Sequence, residues 1–388
     1  MCDWGTLLGL CNRMKVILFF ILLCGLFVIG CGKQSASGDY FMWQIDPTAA
    51  RRMELAEFVD SIYLVPLETN DECLIKRIRS IQFQSGKFYV NNDFTDIQVY
   101  DSMGHFLYST RKHLGIGPDD YWHVLGFALL PRDTIELLDA MARKMRYFVY
   151  PAGLVKSHSL PSDLLPVREY AWINQDTCVF VGSSDDIGDK LRFYSKCRNE
   201  FFKKTEEREN FLLMKTSNSL HRVNGILYYS LPYPSNDLYV FDENLERKKV
   251  LQLDFGRYNF SMDALPEDMD TKKSADYFSA HTDIAYPYTK YISDSLYLVF
   301  FQFEEHFYVA CLNRATGRAV VMRNEIGGKP QLMEPDYICG DKIYYASEPG
   351  YLPYLIDTTL MSSAEIAKMK EVQEDDNPIL IVYRMKTE

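Results

Sequence analysis

Gly86-Lys87-Phe88-Tyr89-Val90 sets the pattern by which the rest of the chain is read: a polar turn, then a run of apolar, strand-forming residues. The pattern returns at Asp133-Thr134-Ile135, Asp176-Thr177-Cys178, Asn224-Gly225-Ile226, Asp294-Ser295-Leu296 and Asp341-Lys342-Ile343. The leading apolar residues, at positions 88, 135, 178, 226, 296 and 343, lie 47, 43, 48, 70 and 47 residues apart. Such a period, filled with short strands and turns, is what the blades of a β-propeller produce, because each blade is a four-stranded meander that buries its faces against its neighbours. Six repeats predict an all-β chain of six four-stranded antiparallel blades.

The first unit shows the meander most fully. Ile78-Arg79-Ser80-Ile81-Gln82-Phe83 turns at Ser85-Gly86 into Phe88-Tyr89-Val90; Ile97 to Tyr100 follows, and Asp101-Ser102-Met103-Gly104 turns into Phe106-Leu107-Tyr108. Turn residues stand where hairpins need them. Two runs lie outside the count: Phe58 to Leu67 near one end and Pro378 to Tyr383 near the other. A ring of blades has to close, and closure removes two sheet edges that would otherwise pair with other chains, so these runs are predicted to share one blade. The gap between units four and five is longer, which places an insertion near 256–282, including the polar, turn-rich Leu265 to Asp270. In the last unit Ser362-Ser363-Ala364-Glu365 has the form of a capping box and predicts a short helix to about Val372.

The 388 residues are 47% hydrophobic and 24% charged, with 27 Tyr and 24 Phe. Rings of this kind favour pleated, half-buried surfaces. The net charge of −11 argues against a nucleic-acid partner, whose binders carry basic patches that displace counterions from phosphates. At the N-terminus Lys15 precedes an uncharged, almost wholly apolar run from Val16 to Gly30. That is too short to span a bilayer and fits the apolar core of an export signal. It ends in Val28-Ile29-Gly30-Cys31, which is similar to the lipobox of bacterial lipoproteins. The likeness implies cleavage before Cys31, diacylglyceryl transfer to its thiol and a membrane held through lipid. On this reading 1–30 is signal peptide (1–13 an upstream extension), 31–54 carries the lipidated cysteine and a tether, and 55–388 is the propeller. An outer-membrane lipoprotein, periplasmic or surface-facing, is expected. The five cysteines after Cys31 show neither a C-x-x-C nor a paired Cys/His spacing, and Cys178 and Cys311 read as small buried hydrophobes.

Val65-Pro66-Leu67-Glu68-Thr69, Tyr100-Asp101-Ser102-Met103-Gly104-His105-Phe106-Leu107 and Leu114-Gly115-Ile116-Gly117-Pro118-Asp119-Asp120-Tyr121 together resemble six-bladed propeller lipoproteins of Gram-negative anaerobes, of the NHL/TolB-like kind. Asp119-Asp120 stands where that family usually has Gly-Glu. The resemblance implies the fold and the anchor and supplies no activity. Gly115-x-Gly117 is not a phosphate loop, since Pro118 removes an N–H and no helix follows at once.

No nucleophile elbow, zinc pair or calcium loop is present, and the sequence offers neither a cofactor motif nor a metal set. Propellers nonetheless assemble sites from distant residues, because each blade's inner strand lines one central channel. Three groups are candidates. Asp119, Asp120, Tyr121, Trp122 and His123 combine carboxylates with stacking rings, which suits a sugar; the alternative is a structural loop packed between blades. His281 and Asp283 close the insertion, as an acid/base pair at the channel or as an exposed loop. Arg77, Arg79 and Arg168 lie in or near inner strands, to clamp an anion or to form ordinary salt bridges. The leading expectation is a cell-envelope protein that binds a glycan, a peptide or another envelope protein without catalysis. The alternatives are a hydrolase or lyase acting on polysaccharide or lactone, and an interaction subunit of an envelope complex.

Overall fold

The computed structural model describes residues 40–52, 55–164, 167–182, 190–206, 219–231, 234–261, 264, 271–326, 329–330 and 332–386. The expected signal region, Cys31 and the residues up to 39 lie outside the described residues, as does the Leu265 to Asp270 stretch. Each repeat folds as an antiparallel four-stranded blade. Blade 1 is Ile78–Gln84, Lys87–Asn92, Asp96–Asp101 and Phe106–Ser109, in that order from the inside outward. Blade 2 runs Gly126–Leu130, Thr134–Asp139, Lys144–Val149, Gly153–Ser159; blade 3 runs Val167–Trp172, Thr177–Gly182, Lys190–Ser195, Glu200–Glu206. Blade 4 is Leu220–Val223, Ile226–Ser230, Asp237–Phe241 and Arg247–Asp254; blade 5 is Tyr286–Ile292, Leu296–Phe303, His306–Asn313 and Ala319–Arg323.

Blade 6 closes the ring. Its strands Tyr337–Cys339, Lys342–Ser347 and Ile379–Met385 come from the C-terminal part of the chain, and its outer strand, Val59–Pro66, comes from the N-terminal part. The register runs from Ile379 opposite Pro66 to Met385 opposite Val59. The predicted sharing of one blade by the two ends is therefore observed.

The repeat that marks the blades also marks their core. Each leading apolar residue opens a second strand, and Phe88, Ile135, Cys178, Leu296 and Ile343 are buried; Ile226, set directly after the Asn224-Gly225 turn, stays exposed. Both residues of the Ser85-Gly86 and Asn224-Gly225 turns have positive φ, as two-residue hairpins matched to strand twist require. Six apolar clusters result, one between each pair of neighbouring blades, so every blade is buried on both faces. Blades also interlock at the rim. A Cβ on Gly104, in blade 1's last turn, would lie 2.0 Å from Pro66 O of blade 6.

Residues 40–52 differ from the tether expected there. Phe41–Gln44 pairs in parallel with the outer strand of blade 4, and Arg51–Arg52 with that of blade 5. Trp43 and Ile45 drive this wrapping, since both are buried in the cluster between blades 4 and 5. The predicted C-terminal helix is Ser363–Glu371, with Ser362 Oγ accepting from Glu365 N at 3.2 Å. The Glu365 carboxylate does not turn back to complete the box; it accepts from Leu64 N at 2.6 Å, on the outer strand of blade 6. Among the described residues Cys73, Cys178 and Cys311 are buried free thiols, and Cys197 and Cys339 are exposed free thiols.

The strand order separates two faces. Connections from inner to second strands, and in blades 1 to 5 from third to outer strands, are short turns on one face. The opposite face receives the long connections, including 255–285 with its helix Thr271–Ala280 and 348–378 with the helix Ser363–Glu371.

Candidate functional site

The inner strands of all six blades enclose a central channel with a cavity of about 1160 Å³. Its lining includes residues from both ends of those strands, Arg79 and Arg168 where they begin and Gln84 and Trp172 where they finish. Both faces of the ring therefore contribute to its walls.

At the long-connection mouth, the turn after blade 1's second strand sets Asp93 and Phe94 at φ 47° and 63°. A bulky residue in the left-handed region is strained. Its neighbours hold it there: the Arg79 guanidinium lies 4.4 Å above the Phe94 ring, and the His123 ring stacks on Phe94 at 5.0 Å. Arg79 also donates to Asp93 Oδ1 through Nε and Nη2, at 3.2 and 2.9 Å, and Lys76 reaches Asp93 at 2.6 Å. Those bonds hold the Asp93 carboxyl below its usual range, and burial keeps the His123 imidazole below its own. Arg168 donates to Ser219 Oγ, and its charge lies beside Glu169, which is half-buried and accepts from Ser219 N and Leu220 N at 2.8 and 3.0 Å.

The structure thus brings Arg79 and His123 together around Phe94 and sets Arg79 and Arg168 on one channel wall. The rest of the acid-aromatic group does not converge. Tyr121 is fully buried, its hydroxyl 2.7 Å from Thr110 Oγ1 and its ring edge-on to Phe148. Asp120 folds over its own loop and accepts from Gly117 N at 2.8 Å; a Cβ on Gly115 or Gly117 would stand 2.6 or 2.7 Å from Asp120 Oδ2. The two glycines are there to let that carboxylate approach. Asp119 is exposed, and Trp122 is 68% exposed, facing solvent next to Asp139. His281 ends the inserted helix with its ring stacked on Tyr277 at 4.2 Å and Nδ1 against Tyr277 O at 2.9 Å. Asp283 is exposed, and neither residue is part of the channel lining.

Other groups on the channel wall gave no sequence signal, because they sit in strands and turns that read as packing. Glu136, fully buried on blade 2's second strand, accepts from Trp172 Nε1 at 2.6 Å, and burial raises its carboxyl above the usual value. Asp336, before blade 6's inner strand, accepts from Ala346 N at 2.7 Å. Burial pushes its carboxyl up to about 6, and the charge of Glu334 adds to the rise. Glu334 accepts from Thr289 Oγ1 at 2.9 Å and is itself raised by burial. Among the described residues, no three His, Cys, Asp or Glu side chains gather as a metal set, and no helix is long and apolar enough to cross a membrane.

A solved structure shows the same ring. A Bacteroides fragilis NCTC 9343 protein described as exported superposes with TM-score 0.67 over 89% of this chain and 99% of its own, at 14% identity. A member of the DUF4221 family from Bacteroides vulgatus ATCC 8482 gives TM-score 0.49 at 11% identity, over 84% of this chain and 98% of its own. The first of these likenesses shows the fold alone. No functionally curated protein matches the chain. The sequence model of the domain of unknown function DUF4934 matches residues 44–384, from the strand laid on blade 4 to the third strand of the closing blade, and the chain belongs to that family.

Proposed function

We propose that this chain is an exported, lipid-anchored binding protein of the cell envelope that takes its ligand in the propeller channel. The channel cavity of about 1160 Å³ carries the reading. Ligand sites are concave, largely pre-formed, and lined by apolar surface with a few polar groups that fix orientation. Here arginine, histidine, amide and aromatic side chains from six blades meet around one space, as in Arg168, His221, Gln82 and Tyr337. The Val28 to Cys31 signal supports the anchor at Cys31, with the outer membrane as the expected location. The described exported character of the B. fragilis protein agrees with export. A glycan or a peptide suits the channel in size and chemistry.

A second reading, a hydrolase or lyase acting on polysaccharide or lactone, has one specific support. Asp336 and Glu334 are neighbouring carboxyls, both raised, with Asp336 on the channel wall. One experiment addresses both readings: screening the purified protein against glycan and peptide arrays, with chromatography of any ligand retained. Binding without turnover is expected. Turnover that disappears in Asp336→Asn selects the enzyme, and an empty array overturns channel binding.

A further inference from the structure

The two mouths of the channel differ in how their cations are partnered. At the long-connection mouth Arg79 is paired with Asp93, and Arg168 lies beside Glu169. At the tight-turn mouth two cations flank blade 3's first turn without a carboxylate in ion-pair contact. Lys196, in the turn after that blade's third strand, holds its ammonium 5.2 Å from the Trp172 ring and 5.5 Å from the Tyr147 ring. Among the described residues it makes no salt bridge. Arg222, on blade 4's inner strand, donates to Gly225 O at 2.8 Å, a neutral carbonyl. Its side chain is exposed overall, and the protein packed around the guanidinium pulls it below the ordinary value by partial desolvation. Both line the channel cavity together with Trp172 and the side-chain amides of Gln84, Asn174 and Gln175.

The acids nearby, Glu136 within reach of the Lys196 charge and Asp176, make no ion pair with either cation among the described residues. Glu136 is fully buried behind Trp172; its Oε1 takes the indole N–H, its Oε2 has no hydrogen-bond partner, and burial favours its neutral form. Asp176 accepts from Cys197 N at 2.6 Å and from Ser195 Oγ at 2.9 Å, bonds that hold its carboxyl below the usual range and keep it ionised, but among the described residues it makes no ion pair with Lys196 or Arg222. On the channel lining at this mouth Lys196 and Arg222 thus stand against one carboxyl, Glu136, whose neutral form burial favours.

We propose that the tight-turn mouth is an anion subsite for an acidic glycan, with ligand carboxylates on Lys196 and Arg222 and ligand hydroxyls on the amides of Gln84, Asn174 and Gln175. The inference rests on the reading of the channel as a ligand site and narrows its ligand class. Carboxylates supply the missing counter-charges. Hydroxyls match the Gln175 amide, the Nδ2 of Asn174, whose Oδ1 already accepts from Asp176 N and Thr177 N at 2.9 and 2.8 Å, and the Oε1 of Gln84, whose Nε2 donates to Leu130 O at 3.4 Å. The indole beside Lys196 offers an apolar surface to a sugar ring.

Calorimetric titration of the purified protein with an oligogalacturonate, the matching neutral oligogalactoside and an oligoglutamate of equal charge tests the proposal. The uronide is expected to bind about tenfold or more tighter than either comparator, and more weakly as salt is raised. Lys196→Ala and Arg222→Ala are each expected to weaken it by about tenfold, as the loss of one charge-assisted hydrogen bond does, while Lys370→Ala, on the exposed face of the helix Ser363–Glu371 and outside the channel lining, leaves it within about twofold. Lys196 lies in a turn, so that variant keeps the test open if Arg222→Ala fails to fold. Equal binding of uronide and oligoglutamate overturns the glycan class. Tighter binding of the neutral glycan, unchanged by either variant, overturns the subsite and leaves the channel reading standing. If no ligand binds at all, both fall.

Discussion

Lys290 sits on the inner strand of blade 5, 4% exposed, and its ammonium has no hydrogen-bond partner among the described residues. Burial pulls it down to about 7 from an ordinary 10.5, and the charge of Asp237 only partly opposes the fall. Asp336 is the opposite case, pushed up from 3.8 to about 6 by burial. Their effects on stability have opposite signs. The Asp336 contribution is complete below pH 3.8 and is lost as pH rises through about 6. The Lys290 contribution is complete above pH 10.5 and is lost as pH falls through about 7. These two groups therefore place their combined minimum between about pH 6 and 7. Lys290→Met should raise stability at pH 6 by about 1 kcal/mol or more, the cost of burying an unsatisfied polar group, and should flatten the alkaline limb. Asp336→Asn should flatten the acid limb. Urea unfolding from pH 4 to 10 measures both, and a methionine variant no more stable than its parent at pH 6 would contradict the account. Neither group was legible in the sequence. Lys290 lies in the run Tyr286 to Ile292, where its neighbours read as an ordinary strand, and only the packing of blade 4 against blade 5 removes its water.

Edges decide what the shorter elements are for. The outer strand of blade 6 would expose backbone groups to any passing strand, and the helix Ser363–Glu371 covers it. Glu365 Oε2 accepts from Leu64 N at 2.6 Å, and Lys368 Nζ donates to Leu64 O at 2.9 Å and to Glu365 Oε1 at 2.7 Å. Two side chains one helical turn apart thereby satisfy both backbone groups of one edge residue. Glu365→Ala should cost about 1–2 kcal/mol, since it orphans a part-buried N–H, and should favour edge-to-edge association. Urea titration and light scattering at rising concentration report the two effects; an unchanged midpoint with a monodisperse sample would show that the cap is dispensable. The capping box predicted this helix correctly from Ser362 and Glu365. Its role was hidden because the partner, Leu64, stands 301 residues away from Glu365.

At the scale of the whole molecule, stability depends on closing the ring. The N-terminal segment lays strands on blades 4 and 5 and then supplies the outer strand of blade 6, so it touches half of the blades. Deleting residues 57–67 should abolish cooperative unfolding of the entire ring, because blade 6 would lose one face of its pairing and its neighbours their cluster partners Val59, Ile62 and Leu64. Differential scanning calorimetry decides this, and a deletion that melts at the parental temperature would refute closure by this strand. The sequence alone determined the number of blades, the strand meander and the shared closing blade. Those features follow from local alternation and turn chemistry repeated at a steady spacing, which any one repeat carries within itself. Only the tertiary structure decided that residues 40–52 wrap the rim, that Tyr121 and Asp120 support a loop, and that Lys196 and Arg222 meet at one channel mouth. Those depend on distances between strands dozens to hundreds of residues apart, set by how blades pack and which faces lose their water, and no local pattern encodes them.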